Sequence, residues 1–88
     1  MIEREVRIVN SLGLHARPAA QLVRLASSFE AEVELVKEGV PVNSKSIMGV
    51  MMLAAECGCL LIVRATGTDA EAAAAAMAEL IESGFGET

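Results

Sequence analysis

The sequence is poor in aromatic residues and lacks the long apolar runs that membrane spans require. Its 88 residues include two phenylalanines, no tryptophan and no tyrosine, so the core must be built from aliphatic side chains and methionine. No stretch approaches 18 uninterrupted apolar residues, and the sequence therefore predicts no membrane insertion. The first residues mix acids and bases without an apolar segment, which argues against a secretory signal and favours a cytoplasmic protein.

Basic residues, histidine and cysteine are also scarce. Seven Lys and Arg residues stand against twelve Asp and Glu residues, and the formal net charge is -5, so nucleic acid is not expected as a partner. The single histidine and the two cysteines, Cys57 and Cys59, are too few to complete a usual zinc site. Neither a metal nor another cofactor is predicted. A disulfide at this spacing would be strained, and both thiols are predicted to be ordinary packing or loop residues.

Four stretches have the patterns of β-strands. Alternating apolar and polar side chains mark the first two, the third is a short stretch after a tight turn, and a nearly continuous apolar run marks the fourth. Pro41 favours an edge position for the third strand, whereas the continuous run favours the centre of the sheet for the fourth. In chain order the four stretches are residues 3–9, 31–36, 40–43 and 59–66.

Two helices are predicted between these strands. Pro18 lies near the start of the first, where its missing N–H is harmless. The second is a short helix within "SKSIMGVMMLAAE", where Ser44 and Ser46 are both competent N-caps. The residues that should face the core from the first helix recur at helical spacing: Ala19, Leu22, Val23, Ala26 and Phe29.

A third helix is predicted within the alanine-rich residues 67–86. Thr68 and Glu71 could form a capping box, Asp69 is the competing cap, and Gly84 is a plausible stop. The resulting order, β-α-β-β-α-β-α over a single domain of residues 1–88, predicts an α+β fold. Helices would cover one face of a mostly antiparallel sheet and leave the other face open to water.

The only histidine, His15, lies at the junction between a loop and the first helix, in "SLGLHARPAAQLVRLASSF". The positive end of a helix disfavours imidazolium and attracts anions, phosphate above all. Arg17 adds a planar cation that suits phosphate oxygens, and Gly13 allows the turn that brings the ring to the surface. A neutral imidazole beside an anion site predicts an acceptor for a phosphoryl group.

The sequence offers no machinery to make or consume ATP. It has no second histidine, no evident Ser-His-Asp set, no P-loop and no carboxylate cluster suited to Mg²⁺. The chain is therefore predicted to be a carrier without independent catalysis, which receives phosphate from one protein and hands it to another.

Two motifs resemble those of HPr, the histidine-containing phosphocarrier family of the bacterial phosphoenolpyruvate-dependent sugar phosphotransferase system. They are "GLHARPA" at 13–19 and "SIMGVM" at 46–51. The resemblance implies an open-faced β-sandwich with a four-stranded antiparallel sheet and three helices on one side. It further implies that enzyme I phosphorylates His15 on Nδ1, that enzyme IIA domains receive the group, and that Arg17 stabilises the phosphate. A monomer is expected.

A docking face is predicted around His15. On the first helix, the side away from the core is a small apolar patch flanked by arginines, which suits an acidic partner because the local field governs steering. On the second helix, Met48 is expected to be an exposed, adaptable contact, while core packing is favoured for Ile47, Met51 and Met52. The candidate docking residues are Ala16, Ala20, Gln21, Arg24, Ser27, Ile47, Met48 and Met51.

Ser46 has two possible roles. It is a sufficient N-cap for the second helix. The resemblance also suggests regulatory phosphorylation, because many relatives carry a serine here that an HPr kinase/phosphorylase modifies. A phosphate at this point would add nearly two negative charges beside the docking face and repel an acidic partner.

Other functions stay open on the sequence alone. Leu12 replaces a polar residue that is common before the motif glycine, and "NSLGLHARPA" is also similar to the nitrogen-related branch of regulatory phosphocarriers. Ser27 stands where many members have a basic residue, and Ala54 and Ala55 stand where many have a glycine. A non-phosphorylated binding module using the Met-rich helix is a further alternative. A small hydrolase with His15 as general base is disfavoured because the motif contains no nucleophile.

Overall fold

The computed structural model describes residues 1–87, in which one sheet, three α-helices and a short 3₁₀ turn form in the predicted order. The sheet is built from strands of four to seven residues. The elements are β1 (Ile2–Arg7), α1 (Ala16–Ser27), β2 (Glu32–Lys37), β3 (Val40–Asn43), α2 (Ile47–Met52), β4 (Leu60–Thr66), α3 (Ala70–Glu82) and the 3₁₀ turn (Gly84–Gly86).

The strands lie side by side in the order β1-β4-β2-β3, and every neighbouring pair is antiparallel. The near-continuous apolar run of β4 occupies the interior of the sheet, as predicted. β3, which contains Pro41, lies at an edge, where the missing N–H of proline removes no essential ladder bond. The α+β fold predicted from the element order is confirmed, as is the open-faced sandwich that the family resemblance implies.

The core lies between one face of this sheet and the helices. Alternation along β4 buries Leu61, Val63 and Ala65, while Arg64 points to the open face. There the Arg64 Nε donates to Glu3 at 2.9 Å and Nη1 donates to Glu34 at 3.3 Å. The largest fully buried side chains of the core are Ile8, which directly follows β1, and Leu22, Leu35, Leu61, Met77 and Ile81 of the strands and helices.

The second helix is shorter than predicted and leaves most of its apolar side chains in solvent. Helix α2 has only six residues, of which Val50 alone is buried. The prediction that Ile47, Met51 and Met52 pack in the core is wrong. The exposed fraction is 46% for Ile47, 42% for Met51 and 78% for Met52. Because fewer than two helical turns are present, the helix offers the core a single inward position and no apolar stripe.

The start of α3 also differs from the prediction. The N-cap is Asp69, yet its carboxylate makes no bond to its own helix. It accepts the backbone N–H groups of Glu30 at 2.9 Å and Ala31 at 2.8 Å. The capping box between Thr68 and Glu71 is therefore wrong. The hydrogen bond from Glu30, reinforced by that from Ala31, holds the pKa of Asp69 below its ordinary value.

Two helices end on a residue with positive φ. Gly84 follows the C-cap of α3 with φ +74°, so the predicted stop is confirmed. Ala54 holds the corresponding place after α2, with φ +50°, and its N–H donates to the carbonyl of Met51 at 3.2 Å. A side chain at this conformation is strained, because left-handed backbone brings Cβ close to the following carbonyl.

Candidate functional site

The loop that precedes α1 is fixed by a close approach between Gly13 and Ala55. Gly13 has φ +67°, and a Cβ at this position would overlap the carbonyl oxygen of Ala55. The N–H of Leu14 donates to that same oxygen at 2.9 Å, and the N–H of Gly13 donates to the carbonyl of Asn10 at 3.1 Å. Only glycine satisfies both the conformation and the space, so this residue shapes the loop that presents the histidine.

His15 is the N-cap residue of α1. Its backbone is extended, with φ -79° and ψ -173°, and its carbonyl accepts the N–H of Ala19 at 3.0 Å. The imidazole makes no capping bond to the helix, and 35% of the side chain is exposed. The ring thus lies at the positive end of a 12-residue helix, next to backbone N–H groups that lack helical partners.

One nitrogen of the imidazole, Nε2, is hydrogen-bonded to Glu87, a residue that no sequence pattern indicated. Nε2 of His15 lies 3.1 Å from Oε1 and 3.0 Å from Oε2 of Glu87. Only 17% of the Glu87 side chain is exposed. The hydrogen bond from His15, joined by one from Asn10 and by the positive charge of Arg17, lowers the pKa of Glu87. The carboxylate is therefore ionised at neutral pH and accepts from Nε2.

Asn10 connects this carboxylate to the loop. Its buried Nδ2 donates to the carbonyl of Gly13 at 2.8 Å and to Oε1 of Glu87 at 3.0 Å. The sequence marks Asn10 only as part of a turn, "NSLG". Glu87 lies in a stretch without periodicity, 72 positions from His15, so that no local pattern could have indicated its place in the site.

Arg17 extends from the first turn of α1 into solvent. In the part of the chain that the structure describes, its guanidinium makes no ion pair, although its positive charge contributes to the lowered pKa of Glu87. His15 and Arg17, the predicted pair, therefore both lie at the N-terminus of α1, close enough to Glu87 to affect its pKa.

The candidate docking residues lie on α1 and α2, which pack against each other. On α1, Ala16, Arg24 and Ser27 are exposed. Ala20 and Gln21 are half-buried, and Nε2 of Gln21 donates to the carbonyl of Phe85 at 3.4 Å. On α2 the three residues Ile47, Met48 and Met51 are all exposed, Met48 to 72%.

Ser46 is the N-cap of α2. Its Oγ accepts the N–H of Gly49 at 3.2 Å from an extended backbone, with φ -114° and ψ 117°. The competing candidate, Ser44, is fully buried, and its Oγ has no hydrogen-bond partner among residues 1–87. Of the two predicted caps the structure uses Ser46, which is half-buried.

Among the described residues, no three His, Cys, Asp or Glu side chains are grouped so that they could hold a metal ion. Within the same range, 1–87, no helix combines the length and the apolar character needed to cross a membrane.

Comparisons with known proteins agree with these features. Residues 2–83 match the family model described as "PTS HPr component phosphorylation site". The phosphocarrier protein HPr of Xylella fastidiosa (strain Temecula1) is 47% identical, with 99% of this chain and 98% of the relative covered. The phosphocarrier protein NPr of Shewanella violacea is 40% identical, with 98% and 94% covered. The crystal structure of HPr-C-His from Thermoanaerobacter tengcongensis is 45% identical and superimposes with a TM-score of 0.95, covering 100% of this chain and 99% of that one.

Proposed function

The chain belongs to the HPr family of phosphocarrier proteins of the phosphotransferase system, and we propose that His15 accepts a phosphoryl group from phospho-enzyme I and passes it to enzyme IIA domains. The observation that carries this proposal is the single imidazole at an exposed helix start, with an arginine two positions on and its Nε2 bound by a carboxylate. No step requires catalysis by this chain alone.

The attacking atom is Nδ1. A carboxylate can only accept a hydrogen bond, so the contact with Glu87 assigns the ring proton to Nε2 and leaves the lone pair on Nδ1. Nδ1 attacks the phosphorus, and the bond between phosphorus and the donor protein breaks. Positive charge then builds on the ring, where the carboxylate of Glu87 stabilises it and keeps the imidazole oriented. Transfer to the next protein reverses these events.

The transferred group carries charge that two features of α1 can hold. The free N–H groups of the first turn favour an anion beside His15. The exposed guanidinium of Arg17 can donate two parallel hydrogen bonds to phosphoryl oxygens. The exposed side chain of Arg17 leaves this end of α1 accessible to a donor protein.

The partner surface combines cations with flexible apolar contacts. Arg17 and Arg24 are exposed on α1 seven positions apart, and therefore lie almost on one line of the helix. Met48 and Ile47 are exposed on the neighbouring helix. This arrangement suits partners whose docking faces carry acidic residues around an apolar centre, and the adaptable methionine allows both enzyme I and IIA domains to use it.

Regulation at Ser46 is the less direct part of the proposal. An HPr kinase/phosphorylase would esterify the Oγ that now accepts the N–H of Gly49. The phosphate oxygens could take over that hydrogen bond, while the added charge lies directly before the exposed Ile47 and Met48. The expected result is weaker docking of an acidic partner.

A nitrogen-branch regulatory phosphocarrier is the second candidate. It is favoured by the NPr relative and by Leu12, which is 73% exposed where a polar residue is common. The chemistry at His15 would be the same, and only the donor and acceptor proteins would differ. Presenting the protein to enzyme I of each branch separately, and comparing initial rates of phosphorylation, distinguishes the two.

The decisive experiment is incubation with enzyme I and labelled phosphoenolpyruvate, followed by acid and base treatment. We expect a label that is acid-labile and base-stable in the wild type and absent from His15→Ala, with onward transfer when a IIA domain is added. His15→Ala should fold normally because the side chain is at the surface. Acid-labile label in His15→Ala contradicts the assignment of the phosphoryl acceptor to His15. No label in the wild type with active enzyme I of either branch contradicts phosphoryl transfer and favours a non-phosphorylated binding module. Sedimentation of the same samples tests the expected monomer.

A further inference from the structure

The phosphoryl chemistry leaves the two cysteines unused, although they share one exposed turn. The N–H of Cys59 donates to the carbonyl of Glu56 at 2.9 Å, and Gly58 between the thiols has φ +90° with no atom near the place a Cβ would occupy. Cys57 is exposed and Cys59 is half-buried at the edge of the core, and both are free thiols. Glycine and the empty space beside it make this turn easy to reshape.

The spacing places the thiols within bridging reach. Two residues of extended chain span at most about 7 Å between Cα atoms, and a turn shortens that distance. Disulfides join Cα atoms separated by roughly 4.4–6.8 Å. A bridge across a single glycine is strained, which makes it easily reduced, and labile bridges of this kind are the ones that serve as switches.

Neither thiol is held by strong interactions. Sγ of Cys57 donates to the carbonyl of Val9 at 3.7 Å, and Sγ of Cys59 donates to that of Leu60 at 3.6 Å, both of them weak contacts. Both cysteines line an open surface depression of about 540 Å³, together with Lys37, Ala54 and Glu56. A small disulfide molecule can therefore reach them without unfolding of the chain.

The turn also supports the loop that carries His15. The N–H of Gly58 donates to the carbonyl of Ile8 at 2.7 Å, and the N–H of Ile8 donates to the carbonyl of Cys59 at 2.9 Å. A few residues earlier in the same segment, Ala55 receives the N–H of Leu14. A change in the backbone between residues 56 and 59 must therefore alter the hydrogen bonds that hold residues 8–14.

We propose that Cys57 and Cys59 are a redox-responsive dithiol, which closes to an intramolecular disulfide by exchange with a low-molecular-weight disulfide and loosens the loop that presents His15. This role does not depend on the phosphoryl chemistry of the site.

The exchange proceeds in two balanced steps. The thiolate of Cys57, the more exposed residue, attacks one sulfur of the small disulfide and releases one small thiolate, leaving a mixed disulfide on the protein. The thiolate of Cys59 then attacks Sγ of Cys57 in this mixed disulfide and releases the second small thiolate. The protein loses two electrons and two protons, and the small disulfide is reduced to two thiols. The second step is intramolecular, with an effective concentration on the order of millimolar.

Glutathione buffers with increasing oxidised-to-reduced ratios test the proposal. Samples are quenched with acid and alkylated, and the mass of the intact protein is measured by mass spectrometry. We expect the wild type to lose two hydrogens and to resist alkylation at high ratios, with full reversal by dithiothreitol. Cys57→Ser and Cys59→Ser are matched controls, which should instead carry one glutathione or remain alkylatable. Amide hydrogen exchange at Ile8, Leu14 and Gly58 should become several-fold faster in the bridged form.

The outcomes separate the two parts of the proposal. Only glutathione adducts, only covalent dimers, or full alkylation at every ratio would overturn the intramolecular bridge. A bridge that forms while the three amides exchange at unchanged rates would overturn the coupling to the His15 loop.

Discussion

His15 and Glu87 are joined through Nε2 of the ring, which lies 3.0 Å from Oε2 of the carboxylate, across 72 positions of the sequence. Asn10 holds the same carboxylate and the carbonyl of Gly13. The tautomer of the imidazole and the orientation of the ring therefore depend on this carboxylate, which Asn10 links to the preceding loop. This arrangement makes Glu87 a positioning residue for the proposed phosphoryl acceptor.

Replacing Glu87 with glutamine should slow phosphoryl acceptance without unfolding the protein. The amide keeps a hydrogen-bond acceptor but loses the charge that stabilises the ring during attack by Nδ1. We expect a rate reduced by roughly three- to tenfold, since a charge-assisted hydrogen bond becomes a neutral one. Imidazole ¹⁵N spectra should show the Nε2–H tautomer in the wild type and a mixture in Glu87→Gln.

The matched control is Glu5→Gln, which makes the same charge change at an exposed position on β1. It should leave both the rate and the tautomer unchanged. If Glu87→Gln keeps the wild-type tautomer and rate, the carboxylate has no part in preparing His15.

Replacing Arg17 with lysine should slow transfer through His15 by roughly ten- to a hundredfold. The substitution keeps the charge but loses the planar fork, and a charge-assisted hydrogen bond contributes about 1.5–3 kcal/mol. Rapid-quench measurement of transfer from phospho-enzyme I gives the rate. Arg24→Lys, seven positions further along the same helix face, should change the rate much less. An unchanged transfer rate in Arg17→Lys would show that the planar fork is unnecessary and that Arg17 acts only through its charge.

Replacing Ser46 with aspartate should weaken the affinity for enzyme I while the fold is kept. Aspartate is a good N-cap, so stability should hold or rise slightly, whereas its charge repels an acidic partner. The loss should shrink as salt rises, because exposed charges are screened over about 10 Å at 0.1 M ionic strength. Binding titrations at low and high salt measure both effects. Ser46→Asn is the uncharged control, and equal binding of all three proteins at low salt would leave Ser46 as a cap alone.

Replacing Ala54 with glycine should stabilise the protein. Ala54 has φ +50° after the C-cap of α2, and glycine relieves the strain at the expense of some chain entropy in the unfolded state. We expect a gain of about 0.5–1 kcal/mol in the free energy of unfolding. Ala72→Gly, the same substitution at an exposed position inside α3, should lose about 0.5–1 kcal/mol. In denaturant unfolding, the free energy of unfolding should therefore rise for Ala54→Gly and fall for Ala72→Gly. A lower value for Ala54→Gly than for the wild type would show that the backbone at Ala54 is not strained.

The strands and their places in the sheet could be predicted because alternation and proline act locally. Val33 and Leu35 face the core as their spacing indicates, and Pro41 marks the edge. The exposure of Met48 was predicted, but that of Ile47, Met51 and Met52 was not, since the pattern does not reveal that the helix ends after six residues. The partners of Asp69 and His15 could not be predicted either, because each is a contact between segments distant in sequence.

The pairing of β1 with β4 has a consequence for folding during synthesis. Ile2 pairs with Ala65, whereas the hairpin of β2 and β3 joins residues that are close in sequence, such as Lys37 and Val40. A growing chain can therefore form the hairpin early, but its first strand has no partner until the last strand has been made. The His15 loop follows directly after β1. We expect the loop to acquire its shape only after β4 has emerged from the ribosome and paired with β1.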